Sequence, residues 1–239
     1  MSKCILELKQ VSIGYANKPL IADLNVQFVS QKMYVIIGNN GVGKSTFLKS
    51  ILGQIPLIKG DLILDNTPFR SLTTIEIAKK IAYVPSKTNY VSGISVKDVL
   101  HFGRIPHLSF FGTTTINDKN IIEQTISLLN IESLLDQKFE QLSDGQQQKV
   151  RIARVLIQDT PIIVLDEPTS HLDIGQKAVI FNLLNQLAQQ GKTIICATHD
   201  IHSVLDYADE ILFFNASKTV DIFEKSNINK EELISRLTQ

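Results

Sequence analysis

Met33-Tyr34-Val35-Ile36-Ile37-Gly38-Asn39-Asn40-Gly41-Val42-Gly43-Lys44-Ser45-Thr46 is the stretch on which the fold turns. The apolar run Met33–Ile37 reads as a buried strand that stops at a Gly/Asn cluster. Helix formers then run from Lys44 to Leu52 and end at Gly53. From Gly38 to Ser45 the residues match the phosphate-loop pattern G-x-x-x-x-G-K-[ST] in full, between strand and helix as that pattern requires. Glycines let the backbone wrap closely, so amide hydrogens converge on phosphate oxygens at the positive end of the following helix. Lys44 supplies a mobile charge for the β and γ phosphates, and the Ser45 hydroxyl is placed to hold magnesium. The stretch therefore predicts a nucleotide-binding α/β core with Mg at the phosphates, that of a phosphate-loop ATPase or GTPase.

Working outward, Leu6, Leu8 and Val11 alternate with Glu7, Lys9 and Ser12, as in a half-buried strand. Strand-like rhythm returns at Ile162–Leu165, Thr193–Ala197 and Glu210–Phe214. Between these lies a region of different character. Val96–Phe102 and Ile121–Leu135 carry apolar residues at helical spacing, interrupted by the Pro/Gly-containing stretch Gly103–Thr115. We read a helical insertion, about 91–159, within a core built from about 1–90 and 160–239. Asn229 stands as an N-cap with Glu232 three residues on, which predicts a short terminal helix to Leu237.

Composition narrows the class. Lys plus Arg equals Asp plus Glu at 24 each, and a neutral balance disfavours a nucleic-acid binder. No run approaches ~18 consecutive apolar residues, and Met1–Tyr15 makes a poor signal peptide. The expectation is a cytosolic chain whose link to any membrane goes through a partner. Cys4 and Cys196 belong to no metal-spaced pair, and Cys196 reads as a buried free thiol.

The strand Ile162–Leu165 surfaces at Asp166 and Glu167, at the carboxyl end where open parallel sheets bind ligands. Asp166 is a candidate for the magnesium shell and Glu167 for the general base that positions water. Upstream, Leu142-Ser143-Asp144-Gly145-Gln146 opens an apparent helix, Gln147–Gln158. This motif resembles the signature of the ABC ATPases, usually written LSGGQ. The family's other elements follow in order: Tyr15, the phosphate loop, the signature, the Asp166–Glu167 strand, Ser170-His171-Leu172-Asp173 as the D-loop, and His199 as the switch histidine.

The resemblance implies an ABC ATPase fold, with a mixed-sheet core and an inserted helical signature subdomain. It implies a head-to-tail homodimer holding two ATP molecules at its interface. Tyr15 would stack on adenine, and residues Gly38–Thr46, Asp166, Glu167 and His199 of one subunit would hold each nucleotide. Ser143, Gly145 and Gln146 of the other subunit would close over its γ-phosphate, and Asp173 would relay between the sites. A hydroxyl, a bare amide and a helix N-terminus all favour an anion there.

Two departures stand out. Ser86, after Ala82-Tyr83-Val84-Pro85, occupies the place where the family carries a metal-sensing glutamine. A serine reaches the metal only through water, which implies weaker metal coupling. Asp144 replaces the middle glycine of the signature and is expected to face solvent or a basic side chain.

Other signals read as structural. His199 and His202 lack a third ligand at metal spacing. Asn215-Ala216-Ser217 is a hairpin turn, and Lys149, Arg151 and Arg154 read as a solvated helix face. The segment Phe102–Gly112, with its GR-x-P, resembles the insertion of ATPases that serve iron-siderophore, haem and cobalamin importers. That implies two many-helix permease subunits and, indirectly, a substrate-binding protein. The permease would meet the groove near Ser86, with Ile105, Leu108, Phe110 and Phe111 either in that contact or packed within the subdomain. The competing classes are a soluble ABC ATPase acting on DNA or ribosomes, and a separate-chain exporter ATPase. No sustained heptad run and a single phosphate loop speak against the first.

Overall fold

The computed structural model describes residues 3–237 apart from 17, 87–89, 110, 111 and 171. Five strands, β3 (Met33–Gly38), β6 (Ile81–Val84), β7 (Ile162–Asp166), β8 (Thr193–Ala197) and β9 (Glu210–Phe214), run parallel. The edge strand β10 (Val220–Glu224) pairs antiparallel with β9, closing a six-stranded sheet of order β10-β9-β3-β8-β7-β6. β3, β7 and β8 are buried at every position, as near-continuous apolar strands covered on both faces must be.

A second, antiparallel sheet takes β1 (Cys4–Tyr15), β2 (Lys18–Val29), β4 (Lys59–Leu64) and β5 (Thr67–Pro68) in the order β2-β1-β4-β5. The alternation along β1 changes phase partway. Gln10 adopts φ 48° at a register shift, so Leu6 and Leu8 are followed by Val11 and Ile13 on the buried side. Ser12 is buried as well, rather than facing outward, and its hydroxyl accepts from the Asp23 amide at 3.1 Å.

Helix α1 (Lys44–Ile51) lies between the two sheets, where Phe47 and Leu48 join Phe28, Tyr34 and Phe214 in one apolar cluster. The short α2 (Thr74–Ala78) leads into β6. On the opposite face of the large sheet, α6 (Ile174–Gln189), α7 (Ile201–Tyr207) and α8 (Lys230–Leu237) contribute Phe181, Val204 and Leu233 to a second cluster. Asn229 Oδ1 accepts from the Glu232 amide at 2.8 Å, capping α8.

The helical lobe holds α3 (Val96–His101), a 3-10 segment over Phe102–His107, α4 (Ile116–Leu129) and α5 (Asp144–Ile157). Two helices differ in extent from their sequence reading. α4 begins at Ile116 because Thr115 and Asp118 form a capping box, and it ends at Asn130 in the left-handed conformation, short of Leu135. α5 begins at Asp144 rather than Gln147, because the Ser143 hydroxyl and the Gln146 side chain form another capping box.

α5 is shared between lobes. Val150, Ala153 and Ile157 join the helical cluster, whereas Ile152 and Val155 join the core cluster. Two of its three basic residues are not part of a solvated face: Arg151 lies over the Phe139 ring at 5.5 Å, and Arg154 donates to the Tyr83 carbonyl at 2.7 Å. Arg104 of the GR-x-P segment is buried and donates through Nε to Asp118 at 2.8 Å and through Nη1 to the Ile157 carbonyl at 2.9 Å. Gly103 is required beside it, since a Cβ there would stand 2.4 Å from the Arg154 carbonyl oxygen.

Candidate active site

The phosphate loop leaves the carboxyl end of β3 at Gly38, whose φ of 151° and approach to the Phe214 carbonyl (2.5 Å from a built Cβ) admit only glycine. Gly43, at φ 107°, is the N-cap of α1 and offers no side-chain cap, so the first-turn amides stay available. No acidic residue sits in that turn. Asn39, Asn40 and Gly41 are exposed, and Val42 packs against the apolar cluster beneath. Lys44 is buried and folds back along the loop, donating to the Gly38 carbonyl at 2.7 Å and the Asn39 carbonyl at 3.1 Å. Burial lowers its pKa, opposed by the charges of Glu167 and Asp166. Thr46 is buried next to it.

The hairpin of β1 and β2 abuts this loop: a Cβ on Gly43 would lie 3.3 Å from Leu20. At the tip, Gly14 lets the chain pass the Lys18 carbonyl, and Tyr15 projects beyond it, 56% exposed. An aromatic ring held out at a loop edge is suited to stacking on a planar base.

Asp166 ends β7, buried, and accepts from the exposed Ser45 hydroxyl at 3.2 Å. The pair is an all-oxygen donor set of hydroxyl and carboxylate, which fits a hard cation such as Mg²⁺. Glu167 follows in the left-handed region at φ 52°, with its amide bound to the Ala197 carbonyl at 2.9 Å. That conformation is uncommon and costly for a non-glycine residue outside turns and helix caps. Its Oε1 lies 2.8 Å from His199 Nε2. Burial, reinforced by the Asp166 charge against the pull of Lys44, raises the Glu167 pKa to about 7. His199 is shifted the other way, by desolvation and then Lys44, so near neutrality the imidazole is uncharged.

The signature residues gather elsewhere. Ser143 Oγ accepts from the Gln146 amide at 3.4 Å and donates to Gln146 Oε1 at 3.2 Å. Gly145 meets the side chain of Gln176, whose Oε1 would be 2.7 Å from a Cβ at that position. Gln176 is in turn placed by Asp173, which caps α6 by accepting from the Gln176 amide at 2.8 Å. Ser143, Gly145, Gln146 and Asp173 thus line one cleft of about 650 Å³ between the lobes. Asp144 is exposed in the first turn of α5, where a carboxylate is favoured.

Two groups of candidates therefore stand apart. Lys44, Ser45, Asp166, Glu167 and His199 form one, and the signature with Asp173 forms the other. Among the described residues no hydrogen bond or ion pair joins them. Ser86 is exposed in a third region, a groove of about 970 Å³ shared with Ser45, Tyr83, Arg154 and Asp166. Phe102 and Ile105 are exposed by 41% and 57%, and Leu108 is half-buried. Phe110, Phe111 and the D-loop's His171 lie outside the described residues. Among those described, no group of three or more His, Cys, Asp or Glu side chains could hold a metal by itself. No described helix is long and apolar enough to cross a membrane. Sequence reasoning missed Gln176 and the Arg154–Tyr83 contact, since neither residue belongs to a motif.

The achromobactin transport ATP-binding protein CbrD of Dickeya dadantii is 34% identical over 205 residues, 85% of this chain and 76% of that protein. The iron(3+)-hydroxamate import ATP-binding protein FhuC of Bacillus subtilis is 35% identical over 198 residues, 82% of this chain and 74% of its own length. Among solved structures, a chain of an inward-facing ABC transporter described as of metal-chelate type superposes with a TM-score of 0.85 at 28% identity, covering 99% of this chain and 89% of its own. The dimeric bacterial cassette MJ0796 superposes with a TM-score of 0.81 at 26% identity, covering 92% of this chain and 99% of its own. The sequence model described as ABC transporter matches residues 21–170, more than half of the chain. With this fold, this phosphate loop and these relatives, the chain belongs to the ABC transporter family, among its ATP-binding subunits.

Proposed function

We propose that this chain is the ATP-hydrolysing motor of a membrane importer, acting as a head-to-tail pair of identical cassettes. The observation that carries the reading is the separation of two complementary groups on one chain: a phosphate loop with its acids, and a signature with no phosphate loop facing it. A two-fold arrangement brings the signature of each copy onto the loop of the other, completing two equal sites.

In this reading Tyr15 stacks on adenine, and residues Gly38–Thr46 wrap the phosphates. Lys44 exchanges its two carbonyl partners for phosphate oxygens. Ser45 and Asp166 hold Mg²⁺, which when bound offsets the charge that builds up on the γ-phosphate. Glu167, with a pKa near neutrality, accepts a proton from the attacking water. His199, uncharged, orients Glu167 and contacts the γ-phosphate. Ser143, Gly145 and Gln146 of the opposite subunit close the site, and Ser143 must release its bond to Gln146 Oε1 to donate to phosphate. Asp173, capping the helix that carries Gln176 against Gly145, links each signature to the neighbouring site.

The cargo we infer is a metal chelate of the iron-siderophore, haem or cobalamin class, supported by relatives named for achromobactin and iron(3+)-hydroxamate. The permease would dock through the groove beside Ser86 and the exposed Phe102 and Ile105, holding the cassette at the inner face of the membrane. Affinity purification from gently solubilised membranes tests this. Recovery of a many-helix permease supports the importer. Recovery only with ribosomes, DNA or nothing attached overturns it and leaves a soluble ATPase, and a permease of different architecture points to an exporter.

A further inference from the structure

Tyr83 pairs in register with Val164 on the neighbouring strand, so its side chain shares a sheet face with Asp166, two residues further along. That face is covered by α1, which brings Ser45 to Asp166. A diagonal offset of this kind is within reach of an aromatic side chain. The Tyr83 hydroxyl is buried and forms no well-aligned hydrogen bond, yet it stands close enough to Asp166 that, after burial, that carboxylate's charge and hydrogen-bonding reach raise its pKa. Arg154, holding the Tyr83 carbonyl at 2.7 Å, fixes the strand end, and Ser86 opens on the same groove.

A buried hydroxyl without a partner is destabilising, and each one in a native fold calls for a reason. The acceptor within its reach is the carboxylate read above as a magnesium ligand. We propose that Tyr83 is a positioning residue for that carboxylate: its hydroxyl donates to Asp166 when a divalent cation is held by Ser45 and Asp166. It thereby braces the metal site from the side that the short Ser86 side chain leaves unsupported. This rests on the MgATP reading of the site. The metal fixes the carboxylate rotamer, and the phenol satisfies a lone pair that the metal does not use.

The test uses the full chain, a non-hydrolysable ATP analogue and Mn²⁺ as the metal probe, with bound Mn²⁺ followed by electron paramagnetic resonance. Tyr83→Phe is expected to weaken Mn²⁺ binding about 10-fold, the usual scale for losing an outer-sphere partner. Its melting temperature without metal should be unchanged or higher, because only an unpartnered hydroxyl is lost. Ser86→Gln should recover a larger part of the affinity in the Tyr83→Phe background than it adds to the wild-type chain. Unchanged Mn²⁺ affinity in Tyr83→Phe overturns the proposal, as does a lower melting temperature without metal, which would mark a packing role. Equal gains from Ser86→Gln in both backgrounds overturn the link to Ser86. A wild-type chain that binds neither nucleotide nor Mn²⁺ overturns the ATPase reading itself, and the Tyr83 proposal with it.

Discussion

At the scale of single residues, Glu167 is the group we propose as the base, and its surroundings make it unusual. It is held at φ 52°, buried, beside Asp166, with a pKa raised to about 7. Glu167→Gln keeps the shape and removes the base, so steady-state ATP hydrolysis should fall by roughly 10²–10⁴-fold. Fluorescent-nucleotide titration should find ATP binding retained. The same side chain makes a prediction about stability without nucleotide. Folded, Glu167 keeps its proton up to about pH 7, whereas the unfolded chain releases it near the ordinary glutamate value of 4.5. Between those values the native state binds more protons, so this residue's contribution to stability falls as pH rises. Urea unfolding should therefore show Glu167→Gln gaining on the wild type from pH 5 to pH 8, by roughly 2–3 kcal/mol at the upper end. The two adjacent acids at the end of an apolar run were legible in sequence. The left-handed backbone and the 2.8 Å approach of His199 were not, because both depend on strands brought side by side from distant parts of the chain.

Elements decide how the signature is presented. The apolar periodicity located the helices, but their ends were set by capping boxes: Thr115 with Asp118 for α4, and Ser143 with Gln146 for α5. Those pairs stand in sequence as S/T-x-x-D/Q, and reading them would have moved both starts to where they lie. The charges of α5 misled for a related reason. Arg151 and Arg154 fall on the side turned to Phe139 and Tyr83, and long basic side chains can bury their stems against such surfaces. The GR-x-P segment, read in sequence only as a resemblance, has a physical account in the buried pair of Arg104 and Asp118. It ties the 3-10 segment to the start of α4 and the end of α5. Arg104→Ala leaves a buried carboxylate unpaired, so urea unfolding should show a loss of about 3–5 kcal/mol. A surface substitution such as Lys119→Ala, on the same helix as Asp118, should change it by less than about 0.5 kcal/mol.

At the scale of the molecule, the parallel strands of the six-stranded sheet present Gly38, Asp166 and His199 at a single edge, where the carboxyl ends of β3, β7 and β8 meet. The α/β core and helical insertion were legible because buried parallel strands and amphipathic helices have different periods. The division into two sheets was not, since β1 alternates like any half-buried strand whether it joins the large sheet or another. Each chain holds a phosphate loop and a signature that do not meet, and under the proposed pairing one chain alone leaves the site incomplete. The most direct test is sedimentation of the purified Glu167→Gln chain with saturating MgATP, and of the same chain with Ser143→Arg added. An ATP-dependent dimer containing two nucleotides is expected, abolished by Ser143→Arg although each chain still binds ATP. A chain that stays monomeric with ATP bound, or a dimer indifferent to Ser143→Arg, would contradict it.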